Sequence, residues 1–343
     1  MERSTVERRV AAIRERCRTG LDTTALHQEI LPRLRRVVPM DAAFLATVDP
    51  VTLLFTSARA EDPLGETTAA FLDNEFGRED VNKFTALAQA ADPVASLDRA
   101  TGQDRGASPR YREIMAPLGL GDELRAALVS AGRCWGVLCL HRQDTAPGFT
   151  DRDIALVRAL GPHLARALRA TAITPPRDPA SSPSAVGLML FSHGRRLVSM
   201  SPEAEQWLAE FPDPERHGPD RIPVAILAAA AGPAPSTIRL RGRSGRWIAL
   251  HTTRAGEQTG VVIEPARPAD LGPILLSARG LTPAQSRVAT LVARGRSTRE
   301  MVAELHISAG TVQEHLTAVF DKFGVHSRRE LVAELLADLT GPP

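Results

Sequence analysis

The chain of 343 residues has few aromatic side chains, 4% in all with a single tyrosine, so its cores must be built from Ala, Leu and Val. Lysine is scarcer still. Only Lys83 and Lys322 occur, and the rest of the 42 basic residues are arginine. Forty acidic residues balance them to a formal net charge of +2. That excludes a polybasic histone-like protein and an acidic-tail protein, but leaves local nucleic-acid binding open. Three cysteines, Cys17, Cys134 and Cys139, supply neither a disulfide framework nor a CxxC pair, and no metal site is expected from them. Cys134 and Cys139 lie five apart in a strand-like run, which predicts opposite faces of the strand.

Long apolar runs are absent. The longest, near 224–231, falls far short of the ~20 residues of a membrane span, and MERSTVERRV lacks an apolar signal core. The expectation is a soluble, cytoplasmic protein with no membrane partner. Catalytic signatures are missing as well: no GxxxxGK[ST] loop, GxSxG elbow, HExxH or calcium loop occurs, so no enzyme and no cofactor is expected.

At about 150 residues per domain the length suggests two or three domains. The segment 171–184, TAITPPRDPASSPS, holds four prolines and reads as a linker. A second composition shift at 265–273 leads into a short apolar helix, 269–278. The expected blocks are therefore 1–170, 185–268 and 279–343. In the first block Val6, Val10, Ile13 and Cys17 form one helical stripe, which would serve either as a dimer seam or as cover for the protomer's own sheet. Strands are predicted at 43–48, 53–57, 123–130 and 134–141, the last two as a hairpin around 131–133. Thr150 caps a long helix with Ile154, Val157, Leu160, Leu164 and Leu168 on one face. The second block reads as two strands, helices at 202–211 and 223–231, then three strands, with Arg239, Arg241, Arg243 and Arg246 around a hairpin. Both blocks are α+β with antiparallel sheets.

The third block is all-α, with four helices joined by tight turns. Thr282-Pro283 opens the first and Gly295 ends it; Ser297 with Glu300 makes a capping box for the second. His306-Ile307 turns the chain, Ser308 caps the third helix, and Ser327 caps the fourth. Two helices across a short turn form a helix-turn-helix. Its second helix would carry Gly310, Gln313, Glu314 and Thr317 on the outward stripe. Only the major groove distinguishes all four base pairs; Gln can pair with adenine and Glu can accept from cytosine N4. Arg296, Ser297, Thr298, Ser308, Thr311, Lys322 and Arg328 are the candidates for phosphate contacts near helix starts.

The stretch LTPAQSRVATLVARGRSTREMVAELHISAGTVQEHLTAVFDKFGVHSRRELV resembles the LuxR-type, GerE-like DNA-binding domain. Matching positions include Leu281, Thr282, Gly295, Ser297, Glu300, Leu305, Ser308, Thr311, Val312, His315, Lys322, Val325 and Arg328. The resemblance implies a homodimer, held through the last helix by residues such as Val332 and Leu336, on inverted half-sites of double-stranded DNA. RNA polymerase is a further partner it allows. Family members often carry Lys where this chain has Gln313 and a basic residue where it has Thr317. Over 279–343 there are eight basic and seven acidic residues, so one copy should bind weakly and a dimer be required.

The segment ALVSAGRCWGVLCLHRQDTAPGFTDRDIALVRALGPHLARAL resembles a GAF domain. That implies a sensor for a small-molecule effector, with Tyr111, Trp135, Cys139 and His141 as candidate pocket groups; core packing is the plainer role of each. The middle block resembles a PAS-type domain. The expectation is a transcription regulator whose sensor domains control a dimeric helix-turn-helix. The alternative is an interaction or signalling adaptor whose C-terminal domain binds DNA weakly or only with a partner.

Overall fold

The computed structural model describes residues 2–173, 183–192, 196–212 and 222–340. Most of the segment 171–184, and residues 193–195, lie outside them.

Two helices, α1 (Glu2–Arg16) and α2 (Thr23–Arg35), precede strands β1 (Ala42–Val48) and β2 (Phe55–Ala60). Then come α3 (Thr68–Gly77), α4 (Phe84–Leu87), β3 (Val94–Ser96), α5 (Leu97–Ala100), β4 (Leu120–Ser130), β5 (Arg133–Gln143) and α6 (Asp151–Thr171). The five strands form an antiparallel sheet in the order β2-β1-β5-β4-β3. The expected hairpin turns through Ala131 and Gly132, both at positive φ. Thr150 caps α6 in a reciprocal box with Asp153. Helices α2, α3 and α4 and strand β3 were not expected from sequence.

One face of this sheet is covered by α1, α2 and α6. Val10, Ile13 and Cys17 are buried there with Leu160, Leu164 and Trp135, so the N-terminal stripe covers the protomer's own sheet layer. The opposite face carries Phe44, Val137 and Cys139. Cys134 joins that same face, contrary to the alternation expected from a five-residue spacing. The cause is a β-bulge: Val129 pairs with Cys134 and Leu128 with Gly136, so Trp135 is skipped and the alternation slips by one.

The second sheet comprises β6 (Gly187–Phe191), β7 (Leu197–Met200), β8 (Ser236–Arg241), β9 (Trp247–Ala255) and β10 (Gln258–Pro265), with α7 (Pro202–Trp207) and α8 (Val224–Ala231) between β7 and β8. Its order, β7-β6-β10-β9-β8, repeats that of the first sheet. The helix expected to reach residue 211 is shorter, because the chain tightens to a 3-10 turn at 208–210.

Helix α8 is apolar all round, and all eight of its residues are buried. A helix without a polar face is stable only with protein on every side. Here it lies between the two sheets, and one continuous apolar cluster runs from Phe44 and Phe55 through Val224–Ala231 to Ile238 and Val261. Polar contacts pin the same junction. Asp49, fully buried, accepts from the Arg239 backbone N–H at 2.8 Å and its guanidinium at 3.1 Å. Arg241 donates to the Ala172 carbonyl at 3.1 Å. These two arginines are tied down rather than spread on a solvated strand face.

Helix α9 (Pro268–Ala278) leads to four more helices: α10 (Pro283–Ala293), α11 (Thr298–Leu305), α12 (Ala309–Phe323) and α13 (Arg328–Thr340). They enclose a separate core of Val288, Met301, Val312, Leu316, Val319 and Leu331. Among the described residues no helix is long and apolar enough to cross a membrane.

Candidate nucleic-acid interface and buried sensor cluster

The local chemistry of the C-terminal block fixes how α12 is presented. Thr282 and Ser297 each close a capping box, with Gln285 and Glu300. His306 adopts a left-handed conformation, φ 54°, which ends α11 abruptly. Two residues later the Ser308 hydroxyl accepts from the Thr311 N–H at 3.1 Å and starts α12. Val312, Leu316, Val319 and Phe323 bury one side of α12. Gly310, Gln313, Glu314 and Thr317 are all exposed on the other. The Thr317 hydroxyl donates back to the Gln313 backbone carbonyl at 3.1 Å, and Gln313 itself is exposed.

The other expected contact residues divide. Ser297, Ser308 and Thr311 sit at helix starts, Ser297 and Ser308 exposed and Thr311 half-buried. Lys322 donates 2.7 Å bonds to the Gly280 carbonyl and the Gln285 side chain, bracing α12 against the start of α10. Arg328 donates to the Arg296 carbonyl at 3.2 Å and the Thr298 hydroxyl at 2.8 Å, bracing α13 against the α11 turn. The Arg296 guanidinium pairs with Glu300 at 3.0 Å. These charges hold the helix frame together. Val332 is half-buried against the domain's own core; the Leu336 side chain lies outside the described residues.

The four expected pocket groups fall in three places. Tyr111 is half-buried and donates to Asp144 at 3.2 Å. Trp135 lies on the helix-covered face of the first sheet, donates to the Ser130 carbonyl at 3.2 Å, and lines a cavity at the junction with the second sheet. Cys139 and His141, two apart on β5, share the opposite face. There His141 stands across from Glu123, and Cys139 from Arg125.

Sequence reasoning missed this charged set. Arg110 binds Glu123 Oε2 through Nε at 2.9 Å and its terminal nitrogen at 2.7 Å. Arg125 pairs with Glu75 at 2.6 Å and stacks 3.7 Å from the Phe84 ring centroid. All four charged groups are essentially solvent-free. The legible signal was Glu123 and Arg125 at i and i+2 in an apolar run, hence on one face of β4. Burial alone would raise the Glu123 carboxyl, but Arg110 and Arg125 outweigh it and hold the group at about 2. Burial lowers His141 to about 4, so its imidazole is neutral near pH 7. Burial, then Glu123, pushes the Cys139 thiol well above its ordinary value. Arg110, Glu123 and His141 line a small cavity with Phe44, Phe71, Ile114 and Met115, and Val224 of α8 closes it.

The description "Bacterial regulatory proteins, luxR family" matches residues 279–335, and a GAF domain matches residues 22–168. Neither match reaches the middle unit. The spore germination protein GerE of Bacillus subtilis is 38% identical over 56 residues, 16% of this chain and 76% of that protein. The putative HTH-type transcriptional regulator Rv0890c of Mycobacterium tuberculosis is 45% identical over 54 residues, and the chain spans only 6% of its length. Among solved structures, the GAF domain/HD domain protein from Geobacter sulfurreducens aligns with a TM-score of 0.34 at 18% identity, over 43% of this chain and 93% of that one. SdiA of Escherichia coli aligns with a TM-score of 0.34 at 11% identity, over 97% of this chain and 96% of that one.

Proposed function

Because the chain belongs to the luxR family of bacterial regulatory proteins, we propose that it is a sequence-specific transcriptional regulator. It reads duplex DNA through α12, under the control of its two sheet-bearing units. The observation that carries this reading is the asymmetry of α12: its apolar side is locked in the domain core, and Gly310, Gln313, Glu314 and Thr317 stand exposed together. A helix that shows a rigid polar stripe beside a tight turn fits the major groove, where Gln313 and Glu314 would meet base edges. Ser297, Thr298, Ser308, Thr311 and the helix-start N–H groups would meet phosphates. Lys322 and Arg328 each keep donors spare beyond the bonds they make, and with Arg296 these reach the backbone.

Eight basic against seven acidic residues in 279–343 give little attraction to a polyanion, so the working species is a homodimer on inverted half-sites. Their centres would lie about 34–36 Å apart, one helical turn. Helix α13, with Val332 and Leu336, forms the contact between copies. The protein works in the cytoplasm, with RNA polymerase as a further partner, and carries no catalytic activity of its own. The 22–168 unit senses an effector. The middle unit, which repeats its strand order, is a PAS-like second sensor. An input acts only if it binds one arrangement of these units better than another.

The low net charge also favours a second reading, an adaptor that binds DNA only with a partner. Gel shift of the full chain on its own promoter, across a salt series, separates the two. Regulator behaviour is a shift that weakens steeply with salt; no shift even at low salt favours the adaptor.

A further inference from the structure

Glu123, Cys139 and His141 meet on the buried face of the first sheet in a way the DNA-binding reading does not use. Glu123 Oε1 lies 3.4 Å from Cys139 Sγ and 3.9 Å from His141 Nε2. One ligand atom from each residue falls within 4.8 Å of the other two, and all three residues are buried. We propose that these three side chains bind one divalent transition-metal ion of the zinc or ferrous class, through one oxygen, one thiolate and one imidazole nitrogen.

Three observations support the site. The first is geometry. Zinc bond lengths of about 2.0–2.3 Å at tetrahedral angles put neighbouring ligand atoms about 3.4–3.6 Å apart. The carboxylate–sulfur separation already fits, and the carboxylate–imidazole separation needs to close by about half an ångström.

The second is the state of the ligands. Arg110 occupies Glu123 Oε2 and orients the carboxylate, which leaves Oε1 facing the cysteine and histidine, with Arg125 Nε 4.0 Å away. The Nε2 of His141 faces Glu123 at 3.9 Å with no hydrogen bond made to it, and a metal ion between them would be its partner. Nδ1, buried without a partner, stays so on ion binding.

Charge does not add to these. Glu75, Asp80 and Glu123 are matched by Arg110, Arg125 and, at the half-buried rim, Lys83, so the set is neutral before an ion binds. Binding forms metal–oxygen, metal–nitrogen and metal–sulfur bonds, and the thiol proton of Cys139 leaves to solvent. The ion's two positive charges less that proton leave one added positive charge, set against the carboxylate and the thiolate that bind it. Arg125, the nearest opposing charge, is held by Glu75. The third is the adjoining cavity, about 30 Å³, lined by Glu123, His141 and Val224. It has room for a water as the fourth ligand.

The proposal is independent of the DNA-binding reading and is tested without DNA. The full chain is stripped with chelator and titrated with Co²⁺, then Zn²⁺. The expected result is one Co²⁺ per chain with thiolate-to-cobalt charge-transfer absorption in the near ultraviolet, displaced by Zn²⁺. The absorption disappears in Cys139→Ser, persists in Cys17→Ser and Cys134→Ser, and His141→Gln weakens binding about tenfold or more. A wild-type chain that takes up no Co²⁺ overturns the proposal whatever the variants do. So does absorption that survives in a folded Cys139→Ser or is lost in Cys134→Ser. Thermal melts identify any variant that fails to fold, and His141→Gln then decides together with the wild type.

Discussion

Ile274 and Leu276 sit two residues apart on α9 and enter different cores. Ile274 packs into the helix-covered core of the first sheet unit, and Leu276 into the core of the C-terminal helices. The Arg169 guanidinium at the end of α6 lies beside Gly280, where an added Cβ would come 3.1 Å from it. One helix therefore packs against the first sheet unit and the C-terminal helices at once. Ile274→Ala should cost about 2–5 kcal/mol at the first contact. Faster hydrogen exchange and protease cleavage across 266–280, with the C-terminal core still protected, is the expected outcome. Unchanged exchange there would show that α9 is not held by the first unit.

Gln313→Ala should lose about 1–3 kcal/mol of affinity on sites carrying one preferred base and much less on sites already changed there. Binding to a panel of single-base variants measures this. An equal loss on every sequence would assign Gln313 to phosphate contact or folding.

Lys322→Met removes a brace and, on the reading above, a phosphate contact. The melting temperature of the chain should fall by the equivalent of about 0.5–1.5 kcal/mol. The slope of log affinity against log salt should fall by about 0.9 per half-site. If stability drops and the slope holds, Lys322 belongs to the helix frame alone.

His27 on α2 is buried with an unpartnered Nε2, and burial, then Arg59, lowers it to about 4. The unfolded chain binds this proton below about pH 6.5 while the native state does not until about pH 4. Stability is therefore full above that window and lost as pH falls through it, by up to about 1.4 kcal/mol per unit. His141 adds a term of the same sign. Urea midpoints at pH 7.5 and 5 test this, and His27→Leu should flatten the difference. A midpoint that rises on acidification would refute the neutral state of His27.

Gly136 lies at the bulge of β5, where an added Cβ would meet Leu168 Cδ1 and come 2.6 Å from the Ala46 carbonyl. Backbone cannot give way as a side-chain tip can. Gly136→Ala should cost about 1–3 kcal/mol, read as a lower urea midpoint with an unchanged slope.

Much of this fold was legible because the signals were local. Thr150, Thr282, Ser297 and Ser308 each cap the helix that their sequence context announces, and 131–132 turns the hairpin. What stayed hidden depends on contacts distant in sequence. Helix α8 is an apolar run with no stripe, so nothing in it says that it sits between two sheets. The faces of Cys134 and Cys139 follow from a bulge that only the pairing of Val129 and Leu128 reveals. Glu123 and Arg125 read as ordinary charges until Arg110, thirteen residues upstream of Glu123, and Glu75, fifty from Arg125, come to meet them. The exposed stripe of α12 was readable, since its phase against Val312, Leu316 and Val319 is fixed by the helical repeat.

Recognition by α12 is tested most directly by selecting bound duplexes from a random-sequence pool with the full chain and sequencing them. The expected result is a two-fold symmetric motif with half-site centres one helical turn apart, changed at a single base position by Gln313→Ala. A pool with no enriched motif at low salt, or one that Gln313→Ala and Glu314→Ala leave untouched, would contradict a DNA-reading role for this helix.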